Sequence, residues 1–299
     1  MVGYRTIIAT ALALSSFGQA SADGPGDGPA LRESHDPGLQ RVLEQKLDRL
    51  GLAPAIMARQ LAVVAVDMTD PLEPRVAAVN GDHMMYAASL PKIGILLAAF
   101  HDIGEGRLTL DSATRDSLTR MIRVSSNTEA TRMLNQVGKR RINKILKSSP
   151  YRLYDPLVNG GLWVGKEYAT GTAFERDPLH NISHGATAMQ TARFYYLLDR
   201  GRLASPALTR EMKSMLAEPE IDHKFVKALR KRPVRLYRKS GTWRHYHADS
   251  VMVESALPGE RGKYVLVALA QDPDGGRWLT RIAEEMHDQL MPTRLTARR

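Results

Sequence analysis

Three short stretches of the sequence place nucleophilic, basic and amide side chains at spacings that could do chemistry. In Ser89-Leu90-Pro91-Lys92 the serine and the lysine are three residues apart, so on a helix both lie on one face. Pro91 suits a first helical turn, where its missing N–H costs nothing, and the apolar run from Lys92 to Phe100 continues the helix. A serine hydroxyl is a weak nucleophile until a base takes its proton. A lysine can be that base if burial and a neighbouring cation bring its pKa from ~10.4 toward neutrality, a change worth about 4 kcal/mol. Gly94 leaves room on the same helix for a neighbour to approach closely.

The second stretch is Ser125-Ser126-Asn127, between a helical pattern ending at Val124 and one running from Thr128 to Val137. A hydroxyl and an amide on such a turn could relay a proton and orient a lysine. Ser126 and Glu129 also read as a capping box. The third is Lys239-Ser240-Gly241-Thr242, at the end of a strand pattern whose alternation puts Arg235, Tyr237 and Lys239 on one face. A lysine, hydroxyls and a glycine where backbone comes close suit a ligand carboxylate. Alone, each stretch has an ordinary reading: a helix cap with a solvated lysine, a capping box, a basic strand end before a turn.

The chain that must position them has 299 residues, 43% apolar and 25% charged, with no cysteine. That apolar content is too high for a disordered chain, and no apolar run approaches the ~20 residues of a membrane span. Without cysteine there can be no disulfide, thiolate metal site, iron–sulfur cluster or cysteine nucleophile. The length suits one large domain or two closely packed ones. A net charge of +10 favours anionic partners but says nothing of fold. Aromatics are only 6%, and no nucleic-acid-binding module is present, so nucleic acid is not an expected partner.

Residues 36–50 carry helical apolar spacing, with Asp36 as cap and Gly51 as stop. Leu61–Val66 reads as a strand and Arg75–Asn80, ahead of Gly81-Asp82, as its hairpin partner. From Ser89 to about Leu198 the pattern is mostly helical, broken by a glycine-rich loop around Val158–Thr172. Strand character returns at Val234–Lys239, Ser250–Ser255 and Tyr264–Ala270. The last of these is apolar at every position, which predicts helices on both faces of the sheet. Arg277–Leu290 closes the chain as an amphipathic helix. The expected fold is α+β: an antiparallel sheet of about five strands built from both chain ends, with a helical region inserted between them.

Taken together, the order Ser-x-x-Lys, Ser-x-Asn, Lys-Ser-Gly, in helix-start, helix-turn and strand-end contexts, resembles the class A type of serine β-lactamase, within the superfamily of penicillin-binding proteins and D-alanyl-D-alanine peptidases. The likeness spans nearly all of residues 36–290 and includes Ala188–Leu198, similar to the helix that follows that family's Ω-loop. It implies an acyl-enzyme on Ser89, with Lys92 as base or proton relay. Ser125 would pass a proton to the leaving nitrogen, and Asn127 would orient Lys92 and the substrate. Lys239 would supply positive charge, Ser240 and Thr242 would bind substrate, and the N–H groups of Ser89 and Thr242, beside Gly241, would form the oxyanion hole. No cofactor or metal is implied. The implied ligand is a β-lactam or a D-Ala-D-Ala-type cell-wall peptide, acted on by a monomer. A D,D-peptidase-like enzyme, or a non-hydrolytic binder of penicillin or peptidoglycan fragments, stays open as the alternative.

The sequence departs from that family in three places. Only 36 residues separate Ser89 from Ser125, Ser126 stands where the family usually has Asp, and the Glu-x-x-Leu-Asn segment that supplies the deacylating base is absent. Gly160 to Gly171 stands in its place, a loop expected to be mobile; Glu167 lies nearest the expected position, with Glu175 and Asp177 as alternatives. His184 reads as a structural residue near the cleft, and His245 and His247 as a same-face pair without a third metal ligand. The basic run at 227–239 reads as a solvated face that could steer anions. At the N-terminus, one basic residue, an apolar stretch and Ala20-Ser21-Ala22 have the layout of a secretory signal peptide. The expected divisions are therefore a signal peptide at 1–22, a flexible linker at 23–35, a catalytic domain at 36–292 and a basic tail at 293–299, in a periplasmic or secreted protein.

Overall fold

The computed structural model describes residues 30–291. The expected signal peptide, the first part of the linker and the basic tail lie outside them. The chain runs α1 (Pro37–Arg49), α2 (Ala53–Met57), β1 (Leu61–Asp67), β2 (Arg75–Val79), β3 (Met85–Tyr86), α3 (Lys92–Gly104), α4 (Ser112–Arg123), α5 (Asn127–Val137) and α6 (Lys139–Lys147). It continues with β4 (Tyr154–Asp155), β5 (Gly160–Gly161), β6 (Trp163–Val164), β7 (His184–Ala186), α7 (Ala188–Asp199), α8 (Pro206–Leu216), α9 (Phe225–Leu229), β8 (Val234–Trp243), β9 (Tyr246–Ser255), β10 (Lys263–Gln271) and α10 (Gly275–Leu290).

Five strands form one antiparallel sheet in the order β2-β1-β10-β9-β8, so both chain ends contribute, as expected. Alternation sorts β1 and β10 between two cores. Leu61, Val63 and Ala65 face α1, α9 and α10 with Tyr264, Leu266 and Ala268, while Ala62, Val64 and Val66 face the inserted helices with Val265, Val267 and Leu269. Residues period-two along a strand but apolar on both sides need two covering layers, and that is what the helices provide. Asp36 caps α1 by accepting from Leu39 N, and Gly51 follows with φ +74. The helix α3 is buried along most of its length, which makes it the axle of the helical insertion. A Cβ on Gly94 would sit 3.1 Å from Leu146 of α6, the close neighbour that the glycine allows.

Three expectations are corrected. Residues 30–35 are not linker: Leu31 is buried in the core and His35 bridges Val76, while Arg32 makes two hydrogen bonds to Asp82. The strand that carries the third motif does not stop at Lys239 but runs to Trp243, so the motif forms its last part, because β8 and β9 extend to a tight hairpin whose Arg244 has φ +51. Finally, the glycine-rich stretch is not loose. It contains β5, which pairs with β4, and β6, and two of its glycines mark close packing: a Cβ on Gly161 would lie 2.1 Å from the Leu153 carbonyl oxygen, and one on Gly165 would lie 1.7 Å from that of Glu175.

Gly165 and Glu175 thus form the neck of a closed loop. The Gly165 carbonyl accepts from Phe174 N (2.9 Å) and Glu175 N (3.1 Å), and the Glu175 carbonyl accepts from the Trp163 indole (3.1 Å). Gly165→Ala is therefore expected to force the neck open and to cost about 2–3 kcal/mol, read as a lower denaturation midpoint. An unchanged midpoint would contradict the closed neck.

Candidate active site

Two residues in left-handed backbone conformations build the centre of the site. Ala88 has φ +50, and it leads into a tight turn in which Leu90 N donates to Ala87 O and Lys92 N to Ser89 O. Ser89 is half-buried at the start of α3, and Lys92, one turn on, is fully buried. Ser125 has φ +57 between α4 and α5. Conformations of this kind are unfavourable for residues with a side chain and persist only where surrounding contacts hold them. At Ser125 the contact is Lys92, whose amine donates to the Ser125 carbonyl at 2.6 Å. Ser126 caps α5 by accepting from Glu129 N at 3.2 Å, so its hydroxyl has the structural role that the capping pattern suggests.

The Lys92 amine also reaches Asn127 Oδ1 (2.8 Å), the Ser126 carbonyl (3.3 Å) and Ser125 Oγ (3.4 Å). Lys239 donates to the same Ser125 Oγ at 2.8 Å and to the Ser240 carbonyl at 2.8 Å. The structure therefore brings Lys92, Ser125, Asn127 and Lys239 into one cluster around a single hydroxyl. Among the described residues no hydrogen bond joins the Lys92 amine to the Ser89 hydroxyl. Burial lowers the Lys92 amine to about 7. Lys239 is held well below the usual lysine range, by burial first and then by the charges of Lys92 and Arg238. Two amines this close each favour the neutral form of the other, and a neutral amine can accept a proton.

The strand β8 lies at the free edge of the sheet and runs past the Ser89 turn. A Cβ on Gly241 would stand 2.1 Å from the Ala87 carbonyl and 2.8 Å from Ser89 N, so only glycine permits the approach. Of the expected binding residues, Thr242 is exposed and lines the cleft, whereas Ser240 is buried with its hydroxyl 3.1 Å from His223 Nε2. The cleft holds about 440 Å³ and includes Ser89, Asn127, Thr242, Glu167, Tyr168 and His184 on its walls.

The sequence profile of the beta-lactamase enzyme family matches residues 43–115 and 112–290. The chain belongs to this family. That makes it a serine hydrolase of the β-lactamase type. No curated protein matches the sequence. Solved structures share the fold at low identity. A beta-lactamase from Sphaerobacter thermophilus has a TM-score of 0.64 at 17% identity, covering 85% of this chain and 98% of that one. A PBP-A mutant in acyl-enzyme complex with penicillin-G scores 0.65 at 16% identity, covering 85% and 98%. A beta-lactamase from Chitinophaga pinensis scores 0.63 at 14%, covering 83% and 98%.

The three carboxylates that the sequence offers for water activation in this β-lactamase-family chain have different surroundings. Asp177 is buried and accepts from the Tyr154 hydroxyl and His180 N. Glu175 accepts from Asn143 Nδ2 at 3.0 Å. Both anchor the loop. Glu167 lines the cleft but pairs with Lys139 at 2.5 Å, and that lysine holds its carboxyl below the usual range. The motifs give no sign of the neighbouring Tyr168. Its ring centroid lies 4.5 Å from the Lys92 amine and 4.3 Å from the His184 ring centroid, and its buried hydroxyl has no hydrogen-bond partner among the described residues. His184 is buried, lowered to about 4 chiefly by burial, and bonds through Nδ1 to the Ser183 carbonyl at 2.7 Å. His245 and His247 do not line this cleft; His245 leans on Tyr246 at 4.4 Å.

The electrostatic pairing predicts a pH signature. The base form of Lys92 is present above about 7, so hydrolase activity that draws on this amine should rise with pH through that value and fall on acidification. Removing the neighbouring charge with Lys239→Gln lets Lys92 keep its proton to higher pH, moving the acidic limb upward. An unmoved limb in that variant would contradict the coupling.

Proposed function

We propose that the protein is an exported serine hydrolase that opens the amide of β-lactams through an acyl-enzyme on Ser89. The observation that carries this reading is the placement of Ser125 Oγ between two amines, 2.8 Å from Lys239 and 3.4 Å from Lys92, with Lys92 one helical turn from Ser89, which lines the cleft. Neutral Lys92 takes the Ser89 proton as Oγ attacks the carbonyl carbon. Hydrogen bonds of this kind are often long before substrate binds. The developing oxyanion is held by the N–H groups of Ser89 and Thr242. The Lys92 proton then passes through Ser125 Oγ, which takes one proton and gives up another, to the leaving nitrogen. The ring C–N bond breaks, and an ester on Ser89 remains. Asn127 Oδ1 holds Lys92 in register, and Lys239 adds positive charge where a substrate carboxylate would lie.

Deacylation is the slow half. Water must be activated by a base aimed at the ester, and Glu167 is engaged by Lys139. The Tyr168 ring, not a carboxylate, lies against Lys92. This favours a long-lived acyl-enzyme with weak turnover, the behaviour of a penicillin binder. The layout of residues 1–22 supports export, and among the described residues no helix is long and apolar enough to cross a membrane.

Intact-mass analysis of periplasmic protein treated with a penicillin tests both halves. The expected masses correspond to loss of residues 1–22 and one adduct, mapped to Ser89 and absent in Ser89→Ala. Stopped-flow with a chromogenic cephalosporin should give a stoichiometric burst and then slow release. An adduct that persists in Ser89→Ala would refute the nucleophile. Fast turnover without a burst, abolished by Glu167→Gln, would refute slow deacylation.

A further inference from the structure

Outside the cluster around Ser125 lies a third buried amine. Lys224, in the segment before α9, has φ +51 and ψ −118, a conformation that must be held in place by its surroundings. Its side chain is buried, and its amine donates to the Gly241 carbonyl (2.6 Å), Thr242 Oγ1 (2.8 Å) and the Ala248 carbonyl (3.1 Å). Among the described residues it forms no ion pair. The nearby Asp249 carboxylate is committed to Arg238 by two hydrogen bonds of 2.7 Å and to Phe225 N. A buried ammonium held only by neutral oxygens is costly, and the proton-transfer steps make no use of it.

Gly241 and Ala248 are register partners across β8 and β9. An amine bonded to both carbonyls therefore sits at the seam between these strands, and the Gly241 carbonyl points toward it. That carbonyl and the Thr242 N–H belong to one trans peptide and point in opposite directions. The N–H thus faces the free edge of β8, where the Ser89 turn comes within 2.8 Å of a Cβ placed on Gly241.

We propose that Lys224 is a positioning residue for the oxyanion hole: its ammonium fixes and polarises the Gly241–Thr242 peptide, so that the Thr242 N–H donates more strongly to the reacting carbonyl oxygen. Hydrogen bonds in series strengthen one another, and a charge at the carbonyl end draws electron density from the N–H at the other. The Thr242 hydroxyl is held by the same amine. Burial lowers Lys224 to about 8, with Asp249 raising it and Arg238 lowering it, so the ammonium form prevails at neutral pH. This inference rests on the acyl-enzyme reading above.

The test is the carbonyl stretch of the acyl-enzyme ester, read by infrared difference spectroscopy with carbonyl-labelled penicillin, together with the acylation rate. A strong oxyanion hole lowers that frequency, and a purely structural lysine would leave it unchanged. Lys224→Gln and Lys224→Met are expected to raise the frequency and slow acylation roughly tenfold, below the 10²–10³ lost when a whole donor is removed. Lys224→Arg, which keeps the charge, should restore both toward the parent values. If the methionine variant fails to fold, the glutamine and arginine pair decides. A parent-like frequency and rate in a folded glutamine or methionine variant overturns the role of Lys224 alone. Absence of any Ser89 ester in the parent protein overturns the acyl-enzyme reading and this inference with it.

Discussion

Everything at this site depends on keeping ammonium groups out of water without giving them carboxylates. Lys92, Lys239 and Lys224 are all buried, and their hydrogen-bond partners are carbonyls, hydroxyls and one amide oxygen. Bringing a lysine from its ordinary value to about 7, as at Lys92, corresponds to about 5 kcal/mol of preference for the neutral form. A hydrogen bond to a charged group returns only ~1.5–3 kcal/mol. The oxygens around Lys92 therefore offset part of the desolvation, and the proton is easily shed. A carboxylate at that point would stabilise the ammonium and hold the amine protonated. The pairing of Asp249 with Arg238 keeps the local acid occupied.

The rest of the fold serves that arrangement. The helix α3 is buried on nearly all sides, so Lys92 has no route to solvent along its own helix. The left-handed Ser125 turns its carbonyl onto the amine. Because β8 is an edge strand, its outer side is free to meet the Ser89 turn, and Gly241 removes the one side chain that would block the contact. Ala88 and Ser125, non-glycine residues with positive φ at the site, are positions where local preference yields to the geometry that the site requires.

What was legible in the sequence was local. The Asp36 cap, the short apolar run of β1, the all-apolar run of β10 and the Ser126 cap each depend on neighbours within a few residues, and all of them stand in the structure. The motif residues could be named because the three stretches, in that order and in those contexts, together resemble the serine β-lactamase family. What was hidden depends on distant partners. The glycines of the loop read as mobile, yet Gly161 and Gly165 mark places where the Leu153 and Glu175 carbonyls come close. Leu31 read as linker because its core neighbours lie far along the chain. Two-residue strands such as β3 to β6 carry no period to detect. Tyr168 and Lys224 belong to no pattern; only the folded chain sets one against Lys92 and the other behind Gly241.

The most direct measurement of the central claim is a titration of the lysine side chains themselves. Carbon-13 NMR of protein labelled at the lysine ε-carbons follows each amine, with Lys92→Arg and Lys239→Arg assigning the two signals. The account predicts that Lys92 loses its proton near 7 and that Lys239 titrates well below the ordinary lysine value. Both signals titrating near the ordinary ~10.4 would contradict it.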